Sequence, residues 1–280
     1  MQGSTPAGGA QRPLLAHTRV AAAGRTPERW LLVLHGIYGS GRNWGTVARR
    51  VVDARPEWGA LLVDLRLHGQ SRGFPGPHTV RESAADVDAL VEHLDFHAAA
   101  VLGHSFGGKV ALTYVEHHGD ELRQAWIMDS TLEVREPSGS AWRMIETVRA
   151  LPPEFASRAE AVEGIERAGY PTGLAQWFAM NLEPQDGVYR WRLDLDGVEE
   201  MLRDFFGTDL WHVVENPPPG VELHLVKATE SDSIDEEAAA RVEAAGRANG
   251  RVVLHRVPGG HWINTDNPDA VVQLLVDTLP

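Results

Sequence analysis

Short apolar runs recur along the chain, separated by stretches whose apolar residues fall three and four positions apart. The runs occupy 14–22, 30–35 (WLLVLH), 60–64 (ALLVD), 98–103 (AAAVLG), 124–129 (QAWIMD), 221–226 (VELHLV) and 251–257 (RVVLHRV). Several are almost wholly apolar, which is how strands buried on both faces read, and such strands belong to parallel sheets. Between them, 46–54, 79–94, 106–118 and 267–279 place apolar side chains on one helical face. In 79–94 that face is Val80, Ala84, Val87, Leu90, Val91 and Leu94. At the start of the last segment, Asn267 reads as an N-cap and Pro268 as the first helical residue.

Strand alternating with helix predicts an α/β fold, a mostly parallel twisted sheet with helices on both faces. The alternation breaks over 133–216, which carries helical pattern without a convincing strand and holds Trp142, Trp177, Trp191 and Trp211. The expected organisation is a disordered tail over 1–13, a core over 14–132 and 217–280, and a helical cap over 133–216. A helical layer with an apolar underside suits a cover for a binding pocket. The run NPPPG (216–220) is a stiff return into the sheet.

Charge and composition then remove whole classes of function. A net charge of −13 repels phosphates and forfeits the counterion release that drives nucleic-acid binding. It offers no attraction to an anionic membrane either. With no cysteine, there is no disulfide, thiolate metal site or cysteine nucleophile. No stretch approaches the roughly 18 apolar residues of a membrane span. The first residues, MQGSTPAGGAQRP, lack the apolar core of a secretory signal, so the expectation is a cytoplasmic protein without nucleic-acid or membrane partners.

The chemistry concentrates in three glycine-rich turns. Gly103-His104-Ser105-Phe106-Gly107 lies between an apolar strand and an amphipathic helix. That context turns a common pattern into a nucleophile elbow, with Ser105 presented on a sharp turn and a helix N-terminus facing a developing oxyanion. His35-Gly36-Ile37-Tyr38-Gly39 follows the second run. It makes the Ile37 amide a candidate oxyanion donor alongside that of Phe106. His261, in Pro258-Gly259-Gly260-His261-Trp262, follows the last strand, where the general base of such a site belongs. Two carboxylates are candidates to orient it: Asp129 at the end of 124–129 and Asp232 after 221–226. The stretch Asp64-Leu65-Arg66-Leu67-His68-Gly69 reads as a structural loop, with Asp64 and Arg66 bonding backbone near the oxyanion turn. No clustered His or carboxylate motif suggests a metal, so no cofactor is expected.

HGIYGSGRNW, DLRLHGQS, GHSFGGKVAL and PGGHWINTDNPDAV together resemble the α/β-hydrolase superfamily, over about 30–130 and from 220 onward. Within it they look closest to the small esterase branch that includes bacterial acyl esterases and the abhydrolase-domain-eleven proteins. The resemblance implies an eight-strand-type sheet, a helical cap, a Ser–His–Asp triad and cofactor-free ester hydrolysis. Many members carry the acid in a G-x-x-D motif beyond the cap. Here the matching stretch is Ala228-Thr229-Glu230-Ser231, with Ser at the acid position and Asp232 one residue late. Asp129 fits the other placement used in the superfamily and is preferred. The expected activity is hydrolysis of carboxylic or thio-esters of small to medium apolar substrates through an acyl-enzyme. Lactonase, carbon–carbon hydrolase and cofactor-free haloperoxidase chemistry, or a silent ligand-binding member, are the alternatives.

Overall fold

The computed structural model describes residues 13–280; most of the tail expected over 1–13 lies outside the described residues. Seven strands form the main sheet: β1 (His17–Val20), β2 (Arg29–Leu34), β3 (Trp58–Val63), β4 (Ala100–His104), β5 (Gln124–Met128), and two after the insertion, Glu222–Ala228 and Val252–Val257. Their order is β1-β3-β2-β4-β5, then 222–228 and 252–257, and every neighbouring pair is parallel except β1 with β3. The sheet thus has seven strands among the described residues, where the resemblance implied eight.

Both faces of the sheet are covered. In β2, Leu31 and Val33 enter one apolar cluster and Leu32 and Leu34 the other, because successive side chains point to opposite faces. Helix α1 (Gly45–Ala54) and the C-terminal helix Pro268–Thr278 cover the first face. Helices α2 (Val80–His93) and α3 (Phe106–His118) cover the second. The C-terminal helix begins as its sequence implies, with Asn267 accepting from the Ala270 amide and Pro268 in the first turn.

The segment between the fifth and sixth strands of the main sheet departs from the all-helical reading. It contains α4 (Gly139–Ala150), α5 (Arg158–Arg167), α6 (Thr172–Ala179), α7 (Leu195–Gly207) and α8 (Trp211–Glu215). It also contains β6 (Glu154–Phe155), β7 (Leu182–Gln185) and β8 (Val188–Trp191), a small antiparallel sheet in the order β6-β8-β7. The β7–β8 turn is Asp186-Gly187, both at positive φ (51° and 84°), the left-handed pair that a two-residue hairpin requires. The strands at 222–228 and 252–257 are therefore β9 and β10. Between them runs α9 (Glu236–Asn249), capped by the Asp235 carboxylate and ended by Gly250 at φ 69°.

The insertion shares the core of the α2/α3 face: Met144, Ile145, Phe178, Met201 and Phe205 pack in the same cluster as Val87 and Val110. Its two ends meet at one buried cation. Lys109 Nζ, on α3, donates to the carbonyl oxygens of Glu133 (3.0 Å), Phe205 (2.7 Å) and Thr208 (2.5 Å). Burial pushes the Lys109 ammonium down to about 8. Three carbonyl oxygens offset the desolvation of the charge, as a buried ammonium requires.

Candidate active site

The C-terminal ends of the parallel strands bring the motifs together, the edge where open α/β sheets place their ligands. β4 delivers Ser105, β5 delivers Asp129, β2 leads into His35-Gly36-Ile37, and the loop after β10 carries His261. The ladder continues one residue past the strands. The Ser105 amide donates to Met128 O (3.0 Å) and the Asp129 amide to Val226 O (2.8 Å), which fixes the two residues on adjacent strands.

Ser105 sits at φ 52°, ψ −117°. A side chain in this region is strained, and such strain persists only where the surroundings impose it. The surroundings are two glycines. A Cβ on Gly103 would lie 2.0 Å from Gly107 O, and one on Gly107 would lie 2.5 Å from the carbonyl oxygens of Leu34 and His35. The turn closes this tightly only because neither position carries a side chain.

His261 bridges Ser105 and Asp129. Its Nδ1–H donates to Asp129 Oδ2 at 2.7 Å, and its Nε2 lies 2.9 Å from Ser105 Oγ. The carboxylate selects the tautomer with the proton on Nδ1, leaving the Nε2 lone pair to accept the serine hydroxyl. Asp129 is fully buried. Burial pushes its carboxyl up, but hydrogen bonds from His261, Ser231 and the Ala228 amide, with the His261 charge, outweigh that and hold it below the usual range. Ser231 Oγ donates to Asp129 Oδ2 at 2.5 Å, and the Ala228 amide donates to Oδ1 at 3.0 Å. Ser233 Oγ lies 3.1 Å from His261 Nδ1, and the Ser233 amide bonds Ser231 Oγ at 3.2 Å. Asp232 is exposed; its backbone carbonyl accepts from Arg135 at 3.0 Å and its carboxylate does not reach His261.

Three buried histidines, none singled out as a site residue from sequence, brace this edge. His104 Nε2–H donates to His261 O at 2.8 Å, holding His261 from behind. Burial, with the His261 imidazole nearby, pushes its pKa down to about 3. His35 Nε2 accepts the Leu65 amide at 2.9 Å, and His68 Nε2 accepts the Tyr38 amide at 2.9 Å. A ring nitrogen that accepts from an amide must be unprotonated, in keeping with burial pushing His35 to about 4 and His68 to about 3. Only the consecutive His104-Ser105 and the position of His35 and His68 beside glycine turns marked them in the sequence.

The turn after β2 is held through Tyr38. Besides its amide bond to His68, its carbonyl accepts from Asn181 Nδ2 (3.1 Å) and its hydroxyl donates to Ala141 O (2.7 Å). The neighbouring Ile37 amide has no hydrogen-bond partner among the described residues. The Phe106 amide opens α3 and so has no intrahelical acceptor. Asp64 supports the same loop, accepting the Gly41 amide at 2.8 Å. Arg66 does not: it is buried on Asp86 (2.6 Å) and Pro77 O (2.5 Å), because the Asp86 carboxylate of α2 neutralises it there. Among the described residues no group of three or more His, Cys, Asp or Glu could hold a metal ion, and no helix is long and apolar enough to cross a membrane.

A family model described as the alpha/beta hydrolase family matches residues 31–274. The sn-1-specific diacylglycerol lipase ABHD11 of Xenopus tropicalis is 25% identical over 252 residues, covering 87% of this chain and 75% of the relative. The protein of the same name from Danio rerio is 26% identical over 182 residues, 63% of this chain, and there the match spans only 57% of the relative. Among solved structures, one titled "Marine microorganism esterase" superposes with a TM-score of 0.81 at 23% identity, covering 95% of this chain and 99% of that one. At that identity the likeness is one of fold.

Proposed function

Because the chain belongs to the alpha/beta hydrolase family, we propose that it hydrolyses carboxylic or thio-esters of small to medium apolar substrates through an acyl-enzyme on Ser105. The observation that carries this reading is the unbroken chain of contacts Ser105 Oγ–His261 Nε2 (2.9 Å) and His261 Nδ1–Asp129 Oδ2 (2.7 Å). The names of the diacylglycerol lipase relatives support an ester as the substrate.

In this scheme His261 Nε2 takes the Ser105 proton as Oγ bonds to the ester carbonyl carbon. The negative charge gathers on the carbonyl oxygen, between the Ile37 and Phe106 amides, which need no other bond broken to receive it. The carbon–oxygen or carbon–sulfur bond to the leaving group then breaks, and the His261 proton passes to the departing atom. Water repeats the sequence, giving a proton to His261 and its oxygen to the acyl carbon, and Ser105 leaves with the proton restored. Asp129 stays ionised throughout and stabilises the imidazolium. Segment 133–216 serves as a cap: α4 and α6 border the space over Ser105 through Ala141, Met144, Leu174 and Trp177.

The test is covalent labelling by a fluorophosphonate probe together with turnover of p-nitrophenyl acetate. Labelling and turnover that both vanish in Ser105→Ala are expected. An unlabelled wild-type protein would mean a silent ligand-binding member of the family, and turnover that survives Ser105→Ala would place the nucleophile elsewhere.

A further inference from the structure

The loop after β9 meets His261 and Asp129 at a point that the reaction scheme leaves unused. It runs over 229–235 and is fastened from two directions. The Thr229 amide donates to Val257 O (3.0 Å) and the Glu230 amide to Gly259 O (2.9 Å), which ties the loop to the segment leading into His261. On the other side the buried Lys227 ammonium donates to Ser231 O (3.2 Å) and Ile234 O. Between these anchors, the Ser231 hydroxyl reaches Asp129 and the Ser233 hydroxyl reaches His261.

The proton count fixes which way each hydroxyl points. A serine hydroxyl has one proton to give and two lone pairs that accept. Asp129, held ionised, only accepts, so the Ser231 proton goes to its Oδ2 at 2.5 Å. Ser231 Oγ therefore accepts both the Ser233 amide (3.2 Å) and the Ser233 hydroxyl (3.1 Å). That uses the Ser233 hydroxyl proton, and its oxygen faces His261 Nδ1 at 3.1 Å as an acceptor. The Nδ1–H thus lies between two oxygens, Asp129 Oδ2 at 2.7 Å and Ser233 Oγ at 3.1 Å.

We propose that Ser233 is a positioning residue for His261: its oxygen shares the Nδ1–H with Asp129 and holds the ring in line with Ser105. This rests on the serine-esterase reading above. Nδ1 carries its proton whether the ring is neutral or charged, so the contact persists through the cycle. Its strength changes, because a bond from an ionised donor is about twice as strong as a neutral one. Ser233 therefore contributes most while His261 holds the proton taken from Ser105. An interaction that strengthens at that stage raises kcat rather than lowering KM.

Steady-state kinetics on p-nitrophenyl acetate test it. Ser233→Ala should lower kcat at least fivefold and leave KM within twofold. Ser233→Thr keeps the hydroxyl and should hold kcat within twofold of the wild type. In Asp129→Asn the carboxylate no longer keeps the proton on Nδ1, so adding Ser233→Ala should cost less than a further twofold. A residue that only shapes the loop would lose the same factor in both backgrounds, and that result would overturn the proposal. So would a Ser233→Ala protein with wild-type kcat, or a Ser233→Thr protein as slow as Ser233→Ala. A wild-type protein that neither turns over the ester nor reacts with a fluorophosphonate fails the esterase reading itself.

Discussion

Ser231 donates its hydroxyl to Asp129 Oδ2 at 2.5 Å, so a residue after β9 and the carboxylate after β5 meet at one point beside His261. In the proposed triad the loop after β9, which carries the other candidate acid Asp232, supplies a hydrogen-bond donor to Asp129 instead. Asp129→Asn should lower kcat by roughly 10³–10⁴ by losing the tautomer control of His261. Adding Ser231→Asp to that variant should recover at least tenfold of the loss. Steady-state kinetics on one ester check both, and a double variant no better than the single one would show that the two positions are not interchangeable.

The strained turn makes a separate prediction about stability. At φ 52° an alanine keeps the strain of Ser105 and a glycine does not. Ser105→Gly should be more stable than Ser105→Ala by about 1 kcal/mol. Urea denaturation of the two inactive proteins measures the difference, and equal midpoints would mean that the turn stores no strain at this residue.

Acid should unfold the protein earlier than its carboxylates alone would dictate. The folded state keeps His35 neutral to about pH 4 and His68 and His104 neutral to about pH 3, while an unfolded histidine protonates near 6.5. Between those values the unfolded chain binds more protons, so this stability is complete above pH 6.5 and is lost as pH falls toward 4. Each such histidine contributes a slope of about 1.4 kcal/mol per pH unit in that window. Thermal melts from pH 7 to 4.5 should show Tm falling steeply, with a shallower slope in His68→Gln. A flat profile would place protonatable histidines elsewhere.

Lys109 is expected to matter for stability without touching the site. Lys109→Met leaves three carbonyl oxygens without their donor and should cost about 3 kcal/mol. Chemical denaturation gives the number, and a loss under 1 kcal/mol would mean that water replaces the ammonium.

The main sheet was legible because its inner strands, buried on both faces, read as continuous apolar runs; the half-exposed edge strands β1 and β10 also fall within apolar runs. Ser105, His261, Asp129 and Ile37 could be named as candidates from the sequence because each follows a strand of the main sheet, and the structure brings Ser105 and Asp129 within hydrogen-bond distance of His261. The choice between Asp129 and Asp232 was not legible, since both lie at the same edge and only the path of the loop decides which carboxylate is turned inward. The β7–β8 hairpin was missed although its Asp186-Gly187 turn was in view. Its strands are four residues long and half-exposed, so they lack the apolar run that marks the others. Lys109 and His104 were unreadable for a different reason. Their partners are backbone carbonyls at Glu133, Phe205, Thr208 and His261, and a carbonyl leaves no trace in residue type.

That same ammonium has a consequence for how such a chain can diversify. Glu133, where the insertion leaves the sheet, and Phe205 and Thr208, where it turns back, are tethered to a single atom on the helix that follows Ser105. The ammonium thus joins the Asn181 and Ala141 bonds to Tyr38 in fastening the insertion to the sheet. Ser105, Asp129 and His261 themselves hang from β4, β5 and the loop after β10, so a change in the insertion that spares these anchors leaves their spacing as it is.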